Sequence, residues 1–210
     1  MKTGSSDTPA GEAHQNDPRF AELIRIAHDS GASAAAVIAT RKIVVDPSLA
    51  DKCRKPRCGS YGLSKSCPPH VSGPTGLAKT LEGFHQAIFF KIDVPSEMLY
   101  SSENREIFQL LHQAAAGIEK SATGLGFENA QAYAGGSCKN IFCHAHVDCR
   151  ALSEEKACRH PEHARPSMSG FGINVAELYK TAGWDMGAGN RKDGATNDKM
   201  ASVCALVLIC

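Results

Sequence analysis

Ala87-Ile-Phe-Phe-Lys-Ile-Asp-Val94 is apolar at every position except Lys91 and Asp93. A run this short and this apolar reads as a strand buried on both faces. On its N-terminal side, Pro74-Thr75 opens a short helix carrying Leu77, Leu81 and Phe84. On its C-terminal side, Ser102 is placed to cap a long helix with Ile107, Leu111, Ala114 and Ile118 on one face, which Gly124-Leu125-Gly126 ends. Further out, Asp17-Pro18 reads as N-cap and first residue of a helix carrying Phe20, Leu23, Ile24 and Ala27, with Gly31 at its end. Ala34 to Val45 reads as one strand, or as two short ones around Thr40-Arg41. Asn129 to Tyr133 reads as a strand closed by Gly135-Gly136, Ile173 to Ala182 as a helix and Ser202 to Ile209 as the last strand. Strands alternating with helices predict an α/β or α+β domain, a small sheet of about four strands with helices packed on it.

Between these elements lie two irregular segments that hold most of the cysteine. The chain has nine cysteines in 210 residues. One group is Cys53-x4-Cys58-x8-Cys67-Pro68-Pro69, and the other is Cys138-x4-Cys143-x5-Cys149-x8-Cys158. Each follows a predicted strand, so the two loops could converge at one edge of the sheet. Residues 1–16 are polar and read as a disordered lead. Residues 17–210 read as one cysteine-rich metal-binding domain with a cluster-binding insertion at about 136–170. Residues 185–199 read as an exposed loop.

Charge excludes some classes of function. Lys and Arg number 23 against 22 Asp and Glu, so no global field favours nucleic acid or an anionic membrane. The opening residues have no apolar signal core, and the run Val203 to Cys210 is far shorter than the roughly 20 residues of a membrane helix. These features predict a cytoplasmic protein without a membrane span. A reducing compartment and an odd cysteine count argue against a disulfide framework. Cys204 and Cys210 lie in apolar sequence, six residues apart, and read as small hydrophobes on one strand face.

The other seven cysteines sit among Lys, Arg, Gly, Ser and Pro, where a core residue has no reason to be. Thiolate is the preferred ligand of iron–sulfur clusters and of zinc. Structural zinc usually takes Cys-x2–4-Cys pairs, and only Cys138–Cys143 comes near that spacing. Cubane clusters accept wider, irregular spacings. Cys53, Cys58, Cys67, Cys138, Cys143, Cys149 and Cys158 are therefore the expected cofactor and metal ligands, of iron–sulfur clusters, two of the [4Fe-4S] type, with zinc as the alternative. His144 and His146 lie inside the second group, and a mixed Cys/His zinc site is the main rival. The first group offers three thiols. Its fourth ligand is His70, a cysteine of the second group, Cys204, or an open position. An open iron would bind substrate as a Lewis acid.

The surroundings suit an anionic centre. Lys52, Arg54, Lys55 and Arg57 bracket Cys53 and Cys58, where cations offset thiolate charge or dock an acidic redox partner. Prolines after Cys67 and near Cys158 stiffen the chain leaving each ligand. Gly59, Gly62, Gly135 and Gly136 allow close backbone approach and N–H donation to sulfur. Tyr61, Trp184 and Asp185 are site candidates by position alone. No Walker loop, dinucleotide fingerprint or nucleophile elbow is present.

Taken together, Cys53-x4-Cys58-x2-Tyr61-Gly62-x4-Cys67-Pro68-Pro69 resembles the N-terminal signature of an uncharacterised family of predicted cysteine-rich metal-binding proteins, found mainly in anaerobic bacteria and archaea. Gly135-Gly136-Ser137-Cys138, Cys158-Arg159-His160-Pro161, Ala164 to Met168, Gly172 to Val175, Gly183-Trp184 and the apolar end Ala205 to Ile209 agree in order. The resemblance runs from about Ile43 to the C-terminus. It implies metal binding, of iron–sulfur type, and no established reaction. The x4 and x5 spacings depart from the tighter Cys-x2-Cys-x2-Cys start of many members. Three functions follow as expectations. One is an iron–sulfur protein in electron transfer, partner or subunit of a reductase, with a ferredoxin or reductase subunit as its redox partner. Another is an enzyme using an open cluster at Cys53/Cys58/Cys67 for reductive or sulfur-transfer chemistry. The third is a zinc-stabilised interaction module.

Overall fold

The computed structural model describes residues 17–185 and 200–210. The predicted N-terminal lead and nearly all of the predicted 185–199 loop lie outside the described residues. Four strands, β1 (Ala34–Ala39), β2 (Gln86–Pro95), β3 (Gln131–Ala134) and β4 (Met200–Ile209), form one sheet in the order β1-β2-β4-β3. Every neighbouring pair is antiparallel. The 87–94 run sits on a central strand, with Phe89 opposite Leu206 and Ile88 opposite Val207. Its expected burial on both faces is observed: Ile88, Phe89 and Phe90 are fully enclosed.

Alternation along β2 and β4 divides the interior into two layers. On one face Ile88, Phe90, Ile92, Val203, Ala205 and Val207 pack under α1 (Pro18–Asp29) and α5 (Asn104–Gly124), which contribute Leu23, Leu111 and Ile118. On the other face Ala87, Phe89, Leu206 and Leu208 pack under α3 (Gly73–Leu81), α8 (Val175–Thr181) and the segment Met168–Phe171. Ile43, Val45 and Val71, on the chain flanking the first cysteine loop, pack on this second face, whereas the second cysteine group sits against α5 through Phe108 and His112.

Several boundaries differ from expectation. Asp17 caps α1 as predicted, accepting the Arg19 N–H at 2.9 Å. The same Asp-Pro signature recurs at Asp46-Pro47, where Asp46 accepts the Ser48 N–H at 2.9 Å and opens α2 (Pro47–Asp51), a helical turn not anticipated. β1 ends at Ala39 because Thr40 turns away into a 3₁₀ turn, its hydroxyl donating to Phe84 O at 2.6 Å. α5 starts at Asn104, not at Ser102: the Ser101 hydroxyl accepts the Glu103 N–H at 3.1 Å. An unanticipated short helix, α4 (Ser96–Tyr100), leaves β2. Asn174 caps α8, so that helix begins two residues later than expected. Cys204 is buried, but β4 stops at Ile209 and Cys210 is exposed, so the pair does not share a strand face.

β3 is an edge strand, and its outward backbone is covered. Glu119 of α5 accepts the Ala132 N–H at 2.7 Å and pairs with Arg165 at 2.5 Å, while the Ala134 N–H bonds Pro166 O at 3.0 Å. An exposed edge invites pairing with another chain. Here the segment returning from the second cysteine group fills that position.

Candidate metal centre

The first cysteine loop is a succession of tight turns. The N–H groups of Cys58, Tyr61, Cys67 and His70 bond the carbonyls of Cys53, Cys58, Ser64 and Cys67 at 3.0–3.2 Å. These turns bring Cys53, Cys58 and Cys67 to one cavity of about 270 Å³. Tyr61 and Pro68 line it from the same loop, Asn104, Arg105 and Phe108 from the first turns of α5, and Ser137 and Asn140 from the second group. Burial pushes the Cys53 thiol up, and negative charge on Cys58 and Cys67 pushes it further. A thiol raised by its neighbours in this way is one that a bound cation would deprotonate.

The second group follows β3 at the turn Gly135-Gly136. Gly136 adopts φ +87°, and a Cβ there would meet the Phe108 ring at 2.9 Å, so only glycine allows the chain to enter this turn beside α5. The short helices α6 (Cys138–Ile141) and α7 (Arg150–Ser153) then fold the segment on itself. Cys138, Cys143, Cys149 and Cys158 all line one tight cavity of about 10 Å³, with Ser64, Lys139, Phe142, Arg150, Arg159 and His160. Burial pushes the Cys143 thiol up, Cys158 and Cys149 add to that, and Arg159 and Lys139 pull it back. The Cys138 thiol is likewise raised by burial and eased by the Ser66 and Ser64 hydroxyls.

The two cavities are adjacent. The chain leaving β1 pairs with the chain after the second group, Asp46 N–H to Gly172 O at 2.8 Å and Asn174 N–H to Val44 O at 2.9 Å. Farther along, Ser167 N–H bonds Ser66 O at 2.9 Å. The loops thus do converge, as expected, at the β3 edge. The reason is not that both follow strands: the first loop crosses a whole face of the sheet to reach that edge.

Three features suit a thiolate-bound centre in the second cavity. The Ser64 hydroxyl is fully buried and faces the Cys138 thiol. The His160 N–H points to Cys158 Sγ at 3.3 Å. Lys139, 9% exposed, holds its ammonium on Cys143 O at 3.0 Å and His146 O at 2.7 Å. A buried cation and inward donors are what an anionic cluster requires. Among the described residues, no three Cys, His, Asp or Glu side chains close on a point as the ligands of a lone metal ion.

Other candidates are redistributed. His144 and His146 are exposed, and the histidine that lines the second cavity is His160, stacked on Phe142 at 5.4 Å. His70 is exposed and does not line the first cavity. Cys204 is 3.3 Å from the Tyr179 hydroxyl in a separate cavity with Lys91, Asp93, Trp184 and Asp185. Lys52, Arg54, Lys55 and Arg57 are all exposed, Arg57 lying over the Tyr61 ring at 5.9 Å. The Gly62 and Gly135 N–H groups go to Pro68 O and Cys204 O, not to sulfur.

Sequence reading passed over His112. It is fully buried in α5, its Nε2 3.0 Å from Gly135 O and its Nδ1 accepting the Arg165 N–H at 3.2 Å. That pattern fixes the neutral tautomer with the proton on Nε2. Burial holds its pKa down at about 4. One imidazole thus fastens both ends of the second cysteine insertion to the long helix. Only its position in an apolar helix face hinted at this.

Among the described residues no helix is long and apolar enough to cross a membrane. No curated protein and no solved structure matches the chain. A family model does, over residues 36–209, a span that takes in most of β1, the other three strands and all seven clustered cysteines, and by that match the chain belongs to the family described as Predicted metal-binding protein (DUF2284).

Proposed function

We propose that this protein is an iron–sulfur protein with two [4Fe-4S] sites, one in each cysteine group, working in electron transfer as partner or subunit of a reductase. The observation that carries the reading is the sorting of the seven clustered thiols into two neighbouring cavities, three in one and four in the other. Cys138, Cys143, Cys149 and Cys158 would hold one cluster without outside help, and Cys53, Cys58 and Cys67 three corners of the other. A bound cubane supplies one-electron chemistry at a potential set by charge, hydrogen bonds and burial. Lys139 contributes the charge, the His160 N–H and the Ser64 hydroxyl the hydrogen bonds, and Phe142 the exclusion of water. The exposed Lys52, Arg54, Lys55 and Arg57 form a docking surface for an acidic redox partner such as a ferredoxin or reductase subunit.

A second reading rests on the first cavity. Cys204 and His70, two of the fourth ligands considered from sequence, do not line it, and Asn104, Arg105 and Phe108 of α5 are part of its lining. An open position there would make the protein an enzyme for reductive or sulfur-transfer chemistry. Cyanide, a small iron ligand, would then change the spectrum of the first centre only.

The deciding experiment is anaerobic purification with iron, sulfide and zinc quantification. About eight irons and eight sulfides per chain are expected for two cubanes. A colourless protein with zinc and no sulfide would overturn the redox reading and leave a zinc-stabilised interaction module.

A further inference from the structure

Each cysteine group contains one Ser-Cys dipeptide, Ser66-Cys67 in the first and Ser137-Cys138 in the second. The structure crosses them. Cys67 Sγ lies 3.4 Å from Ser137 Oγ, and Cys138 Sγ lies 3.3 Å from Ser66 Oγ. Cys67, Cys138 and Ser137 are all buried. The backbone holds the exchange in place: Ser66 O accepts the Ser167 N–H at 2.9 Å, and Ser137 O accepts the Asn140 N–H at 3.0 Å. Asn140 adds a cross-link from its side-chain amide to Ser60 Oγ at 3.0 Å. Among the described residues neither Ser66 nor Ser137 has another side-chain hydrogen-bond partner.

The chemistry of this arrangement follows from the donor inventory. A metal-bound cysteine is a thiolate and only accepts, so the hydrogen between sulfur and oxygen belongs to serine. A hydroxyl donating to a ligating sulfur favours the more negative, reduced state of the centre. We propose that Ser66 and Ser137 act crosswise as positioning residues: each sets the reduction potential of the centre held by the opposite group, so that the two centres are tuned as a unit. The proposal rests on the iron–sulfur reading above and adds to it a specific connection between the sites. It also opposes the reading sequence would suggest, in which a serine beside Cys67 serves the centre of Cys67.

The test uses the full chain, purified anaerobically, with serine-to-alanine and serine-to-threonine variants at both positions. Redox titration followed by absorption and electron paramagnetic resonance gives the potentials. A Cys58→Ser background, which keeps only the second centre, assigns them. Ser66→Ala should lower the potential of the second centre and Ser137→Ala that of the first, while the threonine variants, which keep the hydroxyl, restore both. Should Ser66→Ala lose metal instead, the loss must fall on the second centre and be spared in Ser66→Thr. A shift or loss confined to the serine's own group, or no shift in either centre, overturns the crosswise assignment while leaving a cluster-loaded protein. Absence of iron and sulfide from the unmodified chain would overturn the assignment and the iron–sulfur reading together.

Discussion

The two cysteine loops solve one problem in opposite ways. The 138–158 loop builds most of its own enclosure: four thiols, a buried lysine, Phe142, Arg150 and Ala151 come from within it, Arg159, His160 and Ala164 from the chain that follows, and Ser64 from the first loop. The 52–70 loop supplies three thiols with Ser60, Tyr61 and Pro68, and shares the rest of its cavity with α5, the second loop, Ser167 and Ser169. Their charges differ in the same sense. Lys139 of the second loop is enclosed and bonded, whereas the four cations near Cys53 and Cys58 are all exposed. Enclosure and ligand number therefore go together, and the open loop is the one with room for a partner or substrate.

Removing one thiol from each loop separates the two cases most sharply. Cys143 is buried and Cys58 is exposed. Cys143→Ser should abolish the second centre and unfold its insertion, because metal binding there is folding energy, on the order of 10 kcal/mol for thiolate sites that form around their metal. Cys58→Ser should abolish the first centre and leave residues 138–158 protected from protease. Iron and sulfide analysis with limited proteolysis checks both. Full metal content in Cys143→Ser would remove that residue from the ligand set.

The second loop is also the one with a pH-sensitive fastening. His112 must stay neutral to accept the Arg165 N–H, and its pKa in the folded chain is held down from 6.5 to about 4. The unfolded chain binds that proton first as pH falls, so the fold loses stability between about pH 6.5 and about pH 4 and keeps it in full above 6.5. The largest loss this implies is about 3 kcal/mol. Denaturant titrations across that range should show a difference between the unmodified chain and His112→Gln that shrinks on acidification. A difference independent of pH would mean that His112 contributes packing only.

Sequence reading anticipated this architecture unevenly, for physical reasons. The 87–94 and 203–209 strands announce themselves because a strand buried on both faces has no polar alternation to confuse with a helix. The cysteine groups stand out because thiols among charged residues have no core role. Strand order was not legible, since antiparallel pairing of β1 with β2 and of β2 with β4 joins residues about 50 and 110 positions apart, with loop closure giving no local sign. Lys139 and His112 were passed over because polar residues are read as exposed until a partner is seen, and their partners are backbone carbonyls and an N–H in other turns. The Ser66 and Ser137 crossing joins positions about 70 residues apart and leaves no trace in either local motif. Asp46-Pro47 carried a legible cap, overlooked because no apolar period follows it.

A smaller effect tests the contrast in charge. Lys139→Met keeps the length of the side chain but removes the donor shared by Cys143 O and His146 O. Leaving buried acceptors unpaired should cost about 2 kcal/mol. The second centre should also become harder to reduce, since an enclosed cation beside it is gone. Arg57→Gln in the first loop removes an exposed cation and should change stability by less than about 0.5 kcal/mol. Equal effects on stability and potential would abolish the distinction between enclosed and exposed cations drawn above.

No change in metal content is expected at the one buried cysteine that belongs to neither loop. Cys204 lies on β4 against the Tyr179 hydroxyl, and burial pushes its thiol up to about 11. Its sulfur lines the cavity of Lys91, Asp93 and Tyr179 and neither of the two cysteine cavities. Its backbone carbonyl accepts the Gly135 N–H at 3.0 Å, so the strand at Cys204 steers the entry to the second loop without lending it a side chain. Cys204→Ala keeps that carbonyl and removes only the sulfur. Iron and sulfide should therefore be unchanged, with a stability loss of about 1 kcal/mol from the small cavity left beside Tyr179. Loss of four irons would instead bring Cys204 into the first centre as its missing ligand, and would close the position that distinguishes the open loop from the enclosed one.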